Sequence, residues 1–380
     1  MSGTLSSTAK CFRLGTHRVR SPEETWESVR GLLPRAGISR ISDVTALDRL
    51  GVPVWQAIRP ASRNLSVSQG KGATHAAARV SAAMEALELW HAEDLGGLPA
   101  VALSLREMRG IGPIPLESLR WSQGVAIADG APISWVAARA PRTGARGWLP
   151  RGMLELDFRI PYGLAVRPFT ISSNGLASGN CPEEALLHAV CELVERHGGA
   201  LAEREPGRRR PVDLKTIADS SCREMVERFR EAGLKLAVYD LTWAAGLPVV
   251  EVDAVASDIS TTWRGAGCHP SPAVALSRAL TEAAQSRLTF IAGARDDLPT
   301  FVAGSRAYDA FAEPEGERDF ASLADLSTDS VADDLARVLD GLAALGLEAW
   351  AVDLTREEIG LPVVSAFVPG LRERPHGPAR

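Results

Sequence analysis

The sequence predicts a mixed α/β (α+β) chain, built from repeated α/β units around one central polar site. Three observations predict it. Three alanine-rich stretches, 68–91, 173–197 and 272–287, each place polar residues at helical spacing among small and apolar ones. The segments 43–60, 240–254 and 353–370 share Asp-[Val/Leu]-Thr, a variable link and Gly-[Val/Leu]-Pro-Val, which reads as strand, turn, strand. Two of these three are preceded by an amphipathic helix and a Gly-Leu, at 224–234 and 332–347.

The first twelve residues read as a flexible tail, and 13–380 as one domain with interleaved subdomains. Ser21, Pro22 and Glu24 form a capping-box start for a helix. The stretch SQGKGATHAAARVSAAMEALELWH (68–91) enters a helix through the glycine turn Gly70-Lys71-Gly72. Ser81, Glu85 and Glu88 then share one stripe. Residues 101–150 are rich in Gly and Pro, with alternating segments such as PISWVAAR, and read as short strands and loops. The stretch SNGLASGNCPEEALLHAVCELVERH (173–197) starts a helix at Pro182. Glu183 and Glu184 lie at its positive end, and Glu184, His188, Glu192 and Glu195 line one stripe. In PAVALSRALTEAAQSR (272–287), Arg278, Glu282 and Gln285 repeat the spacing. Residues 296–334 are acidic and read as a surface excursion, and Arg208-Arg209-Arg210 as a solvated loop with a possible role in docking an acidic partner.

Buried carboxylates must be paired, hydrogen-bonded or metal-bound. Two Glu-x-x-Glu pairs, Glu85/Glu88 and Glu192/Glu195, with no matching Cys/His set, suit a hard cation such as Mg2+. The arginines, the lysine and the glycine turns offer donors to phosphate. The residues therefore point to a magnesium–nucleotide site built from helix faces. The competing reading is three solvated helices with ordinary Glu/Arg pairs. The sequence has no P-loop and no Gly-x-Gly-x-x-Gly after a strand.

These motifs resemble the YcaO family of ATP-dependent enzymes that modify the peptide backbone. Ser81-x3-Glu85-x2-Glu88 is similar to its first motif, although Leu89 stands where that motif usually has Arg, at a phosphate contact rather than at the metal pair. Ser173-Asn174-Gly175, Gly179-Asn180, Glu184-Ala185 and Glu192-x2-Glu195-Arg196 are similar to the second. Arg278-Ala279-Leu280-Thr281-Glu282-x2-Gln285-x-Arg287 is similar to the third. The resemblance runs over nearly the whole chain. It implies a YcaO-like fold around a central nucleotide, with ATP and Mg2+ as cofactors and Glu85, Glu88, Glu192 and Glu195 on the metal. Asn180, Glu184, Arg196, Arg278, Glu282, Gln285 and Arg287 are expected around the same cavity, with Ser68, Lys71 and Ser81 on its glycine-turn side. Arg18 and Thr25 match a basic and a hydroxyl residue seven apart that contact the nucleotide in the family. No residue is identified as the general base.

The implied reaction is ATP-dependent activation of a backbone amide oxygen. The segments FRLGTHR, SPEETWESVRGLLPRAGI and LSVSQGKG, with an ending that lacks a Pro-x-Pro-x-Pro ladder, look most like YcaO proteins that work beside a TfuA-like protein and form thioamides. Azoline formation on Cys, Ser or Thr is the alternative, and an ATP-binding accessory factor without turnover is a third reading. No peptide-recognition segment is visible, so the expected partners are a peptide or protein substrate and a TfuA-like protein. A homodimer is left open.

Net charge of −5 argues against general nucleic-acid binding. No apolar run is long enough to span a membrane and the first ten residues lack a signal core, which predicts a cytoplasmic protein. The five cysteines, Cys11, Cys181, Cys191, Cys222 and Cys268, form neither a zinc pattern nor a disulfide framework. Cys181 and Cys268, beside the proposed site, read as buried thiols in preference to sulfur carriers. Among the tryptophans, Trp90 is singled out for its place near Glu88.

Overall fold

The computed structural model describes residues 8–159, 167–294 and 303–373. Helix α1 (Pro22–Val29) begins on the expected capping box: Ser21 Oγ accepts from the Glu24 N–H, and Glu24 Oε2 accepts from the Ser21 N–H. Strands β1 (Arg40–Asp43), β2 (Val54–Ile58) and β3 (Val67–Lys71) form an antiparallel sheet that feeds α2 (His75–Ala92). Thr74 caps α2, its hydroxyl accepting from the Ala77 N–H. Next come β4 (Ala100–Leu103), the short α3 (Leu105–Met108), β5 (Ile133–Arg139), β6 (Arg146–Pro150), the short α4 (Arg151–Leu154), β7 (Leu176–Ser178) and α5 (Pro182–Arg204). Strand β8 (Arg210–Asp213), α6 (Ser220–Glu231), β9 (Lys235–Asp240), β10 (Val249–Val255), β11 (Thr262–Cys268) and α7 (Pro272–Ile291) follow. The described chain closes with α8 (Arg306–Ala310), β12 (Arg318–Asp319), α9 (Val331–Ala343), β13 (Trp350–Asp353) and β14 (Val363–Phe367).

The repeated signature corresponds to one repeated device. In each copy an Asp ends a strand and its side chain accepts from the Thr N–H two residues on: Asp43 to Thr45 (2.9 Å), Asp240 to Thr242 (2.8 Å) and Asp353 to Thr355 (2.9 Å). The Thr hydroxyl then accepts the N–H of the valine after the proline, Val54, Val249 or Val363, at 3.1–3.2 Å. Short polar side chains that bond their own backbone in this way fix a turn. The flanking strands pair antiparallel as β1–β2, β9–β10 and β13–β14.

A third strand and a long helix complete each unit. The pairs are β3 with α2, β11 with α7, and β7 with α5; β7 pairs with β14, so the last unit joins segments far apart in the chain. The alanine richness has a packing cause. A Cβ on Gly70 in β3 would lie 2.1 Å from the Ala78 carbonyl oxygen, and one on Gly265 in β11 would lie 2.1 Å from that of Ala279. Glycine strands and alanine helices thus approach backbone to backbone. Gly70 and Lys71 end a strand, not the turn expected from the sequence.

Each long helix also packs against a strand of another unit: α2 on β7, α5 on β11 and α7 on β3. The three units close into a ring, and their polar stripes face its centre. Three apolar clusters lie behind the stripes.

Two expectations change at the edges. Residues 1–7 of the expected tail lie outside the described residues, but 8–12 are held in place. Ala9 bridges Ser330, and Lys10 is buried, bonded to the Thr328 carbonyl (2.7 Å) and ion-paired with Asp334. The acidic excursion carries β12, parallel to β8, and buries Phe320 and Leu323; residues 295–302, and the chain end from 374, lie outside the described residues. No helix among the described residues is long and apolar enough to cross a membrane.

Candidate active site

At the centre of the ring lies a cavity of about 590 Å³. It is within the usual size range of small-molecule sites. It is lined by Arg18, Thr25, Lys71, Ser81, Glu85, Glu88, Asn180, Glu184, Glu192, Glu195, Arg196, Arg278, Glu282 and Gln285. Fourteen of the sixteen residues singled out in the sequence therefore surround one space, although they come from the N-terminal strap (residues 8–21), α1, β3, α2, the β7–α5 turn, α5 and α7.

The other two are corrections. Ser68 is buried but does not line the cavity. Side chains alternate along a strand, and on β3 it is Val67, Gln69 and Lys71 that face inward. Arg287 follows Arg278 by nine residues, which on a helix is a rotation of about 180°. It faces away and donates to Asp48 (2.9 Å) and, through both terminal nitrogens, to Asp258 (3.0 and 2.6 Å).

The α2 and α5 carboxylates meet at one end. Glu88 Oε2 accepts from the Ser178 N–H (2.7 Å), and Glu192 Oε2 from the Gly175 N–H (3.1 Å). Burial, then the nearby charges of Glu85 and Glu192, push the Glu88 carboxyl well above its ordinary range. Burial also raises Glu195, with Arg196 opposing and Glu282 and Glu192 reinforcing the shift. Like charges held together out of water disfavour ionisation unless a cation joins them.

Cations answer part of this charge: Arg196 Nη2 donates to Glu192 Oε1 (3.2 Å) and its Nη1 lies 3.7 Å from Glu195, while Lys71 sits on Glu282. Burial pushes Glu282 up, but Lys71, donating to its Oε2 at 2.6 Å, and Arg196 outweigh it and leave the carboxyl low. Glu184 accepts from the Val19 N–H (3.0 Å), the Asn180 N–H (3.1 Å) and Asn180 Nδ2 (2.9 Å). Asn180 Oδ1 in turn accepts from Thr25 (2.9 Å), so α1 is tied to the start of α5. Gln285 donates to the Gln69 carbonyl across α7 and β3 (3.0 Å).

Sequence reasoning missed several contributors. Gln69 had a signal, its strand parity with Lys71. His188 also had one, its place on the Glu184–Glu192 stripe. The Gly175 and Ser178 amides had none, because backbone donors carry no residue signature.

Other expectations find different places. Arg208 pairs with Glu205, Arg209 with Glu251 and Asp253, and Arg210 with Asp240, so this run is already engaged within the chain. Trp90 lies under Arg356, 4.2 Å from the guanidinium carbon, and outside the cavity lining. Cys181 and Cys268 are buried outside that lining. Burial pushes the first thiol up to about 11 and the second well above its ordinary value.

The profile of the family described as "YcaO cyclodehydratase, ATP-ad Mg2+-binding" matches residues 69–372. The chain belongs to the YcaO family. A protein of Methanothermobacter thermautotrophicus is 35% identical over 365 residues, covering 92% of this chain and 94% of its own. A protein of Rhizobium leguminosarum bv. trifolii, named for its place in the tfuA 3′ region, is 35% identical over 377 residues, covering 93% and 88%. Among solved structures, a heterocyclase in complex with substrate and cofactor superposes with a TM-score of 0.80 at 24% identity. The match covers 97% of this chain and about half (54%) of the heterocyclase chain. The YcaO protein of Methanopyrus kandleri, bound with AMPPCP and Mg2+, superposes with a TM-score of 0.77 at 24% identity, covering 98% and 100%. At these identities the likeness shows the shared fold.

The YcaO cavity of this chain fits the family's two cofactors by its own chemistry. Glu85, Glu88, Glu192 and Glu195 offer carboxylate oxygens to one cavity, Glu88 bonded to a backbone amide and Glu192 to the Gly175 amide and Arg196, and such an oxygen-rich set suits a hard divalent cation. The Nε atoms of Arg196 and Arg278 and the amide nitrogen of Gln69 are buried without a partner, in the lining where an anionic ligand would sit.

Proposed function

We propose that this YcaO protein uses ATP and Mg2+ to activate a backbone amide of a ribosomally made peptide or protein, and that it forms a thioamide with an external sulfur donor. The convergence of Glu85, Glu88, Glu192 and Glu195 with Arg18, Lys71, Arg196 and Arg278 in one cavity carries the first half of this reading. The second half is supported by the relative named for the tfuA 3′ region, which aligns over nearly the whole of both chains. A TfuA-like protein is the proposed partner.

In this reading Glu85, Glu88, Glu192 and Glu195 hold the cation, and the Ser178 and Gly175 amides fix the orientation of Glu88 and Glu192. Arg18, Arg196 and Arg278 hold the phosphate chain. Asn180 and Thr25 keep α1 against α5 along one wall. When bound, ATP supplies the phosphoryl group that turns the amide oxygen into a leaving group, and Mg2+ spreads the charge on it. The balance is one amide, one hydrosulfide and one ATP going to one thioamide, ADP and phosphate. The family description as a cyclodehydratase favours a second reading, azoline formation, in which a neighbouring Cys, Ser or Thr side chain replaces hydrosulfide and water is lost.

Mass spectrometry of candidate peptides at fixed ATP and Mg2+, with and without sulfide and a TfuA-like protein, tests this. We expect replacement of oxygen by sulfur, accelerated by the partner. A product lighter by one water moves the reading to azoline formation. Full-rate modification by this chain alone removes the partner, and ATP binding without peptide-dependent phosphate release leaves an accessory role.

A further inference from the structure

We propose that His188 is a positioning residue: its neutral ring, accepting at Nε2, gathers the guanidinium groups of Arg18 and Arg278 into one anion clamp. The inference rests on the cavity being the ATP site and adds a residue that the family motifs quoted above leave out.

Arg18 comes from the N-terminal strap and Arg278 from α7, while His188 projects from α5 between them. All three line the cavity. Arg18 Nη2 lies 3.3 Å from His188 Nε2, and Arg278 Nη1 is also bonded to that nitrogen. A guanidinium only donates. Two guanidinium donors on one ring nitrogen therefore require that nitrogen to be an unprotonated acceptor, which puts the ring proton on Nδ1. The environment agrees with the geometry: burial first, then Arg278 and Arg18, push His188 well below its ordinary value.

The arrangement solves a specific problem. Arg18 and Arg278 repel one another; after burial, and against the opposing pull of Glu184, Arg278 helps to lower Arg18. Among the described residues, the carboxylate ion-paired to Arg18 is that of Glu184 at 3.7 Å, itself occupied by three donors from Val19 and Asn180. Arg278 keeps a buried, unpartnered Nε. A neutral acceptor holds both cations without cancelling their charge, so they stay available to an anion. A carboxylate at this position would neutralise one of them. An apolar residue of similar size would let them separate.

The strap side of the clamp is anchored by groups that face His188 from behind. His17, next to Arg18, stacks edge-on against His269 at 5.1 Å and lies 3.2 Å from the Lys10 ammonium. The His17, His269 and Asp334 side chains approach one another as metal ligands would, but the Lys10 ammonium already serves as their cation. This cluster fixes Arg18 in place and is not offered as a second metal site.

The test is nucleotide binding by calorimetry with Mg2+, using ATP and AMP, on the full chain and on His188→Leu and His188→Gln. Gln offers an acceptor near the position of Nε2, and Leu does not. A charge-assisted hydrogen bond contributes about 1.5–3 kcal/mol, or roughly 10- to 150-fold in affinity. We expect His188→Leu to weaken ATP by at least about 10-fold while AMP changes little, and His188→Gln to recover most of the loss. In turnover, the Leu variant should raise KM for ATP more than it lowers kcat. Unchanged ATP affinity in the Leu variant, equal loss of ATP and AMP, or a Gln variant no better than Leu would each overturn the proposal. Failure of the unmutated chain to bind ATP would instead overturn the site assignment beneath it.

Discussion

Helix α7 contributes to two buried charge clusters that are built in opposite ways. On one face, Arg287 is 2% exposed and is answered by two carboxylates, Asp48 and Asp258, through three hydrogen bonds. Asp258 also takes Arg49 at 2.7 Å. On the other face, α7 borders the cavity, where Glu88 sits beside Glu85 and Glu192 and accepts a hydrogen bond from the Ser178 backbone amide. The first cluster is complete within the chain. The second is answered only in part, by Arg196 on Glu192 and Glu195 and by Lys71 on Glu282, while Glu88 is held beside two like charges. The lesson is that the same residue types at the same helical spacing serve stability when their charges are fully answered within the chain, and serve binding when they are answered only in part.

The largest expected effect is on the completed cluster. Arg287→Met leaves the buried Asp48 without its cation, while Asp258, 36% exposed, keeps Arg49, so the loss falls at the lower end of the about 3–5 kcal/mol for breaking a buried pair. Urea unfolding should show that loss, while the folded fraction keeps its affinity for ATP with Mg2+. A large loss of nucleotide affinity in the folded protein would return Arg287 to the site.

Next comes the cavity. Glu88→Gln and Glu192→Gln should each lower Mg2+-dependent turnover by about 100-fold, in line with removing one well-placed electrostatic stabiliser. Neither should unfold the protein: Glu88→Gln removes a charge that Glu85 and Glu192 repel, and Glu192→Gln keeps an oxygen that can accept from Arg196 and the Gly175 amide. Near-normal turnover in both variants would break the comparison.

A smaller effect is expected from pH. Hydrogen bonding from Arg287, opposed by partial burial and helped by Arg49, holds the Asp258 carboxyl well below its ordinary value. A depressed carboxyl contributes stability above the unfolded value, about 4, and loses it as pH falls from there toward the folded value. The stability gap between the unmutated chain and Asp258→Asn, measured by urea unfolding, should therefore be full at pH 7 and narrow below pH 4. A constant gap would show that the aspartate acts without its charge.

Much of this contrast was legible in the sequence. The helical spacing brought Glu85 with Glu88, Glu192 with Glu195, and Arg278 with Glu282 and Gln285. The Asp-[Val/Leu]-Thr echo marked the turns before their paired hydrogen bonds were seen. Of the two residues that do not line the cavity, Arg287 enters through motif resemblance and Ser68 through its place beside the glycine turn, although helical phase and strand parity set them apart from their neighbours. What no local rule could supply is the ring closure. The β7–β14 pairing joins residues 176–178 to 363–365, and only that long-range contact aligns α5 with the other two helices. The N-terminal segment carries no local sign of its anchor for a related reason: Lys10 is ordered by Asp334, more than three hundred residues away.

Thermal melting with and without ATP and Mg2+, run on the unmutated chain, Glu88→Gln and Arg287→Met, tests the contrast most directly. The account predicts that Glu88→Gln melts as high as the unmutated chain without ligand but loses the ligand-induced rise. Arg287→Met should melt lower without ligand and keep that rise. The reverse pattern, with Glu88→Gln destabilised but still responsive and Arg287→Met stable but unresponsive, would contradict it.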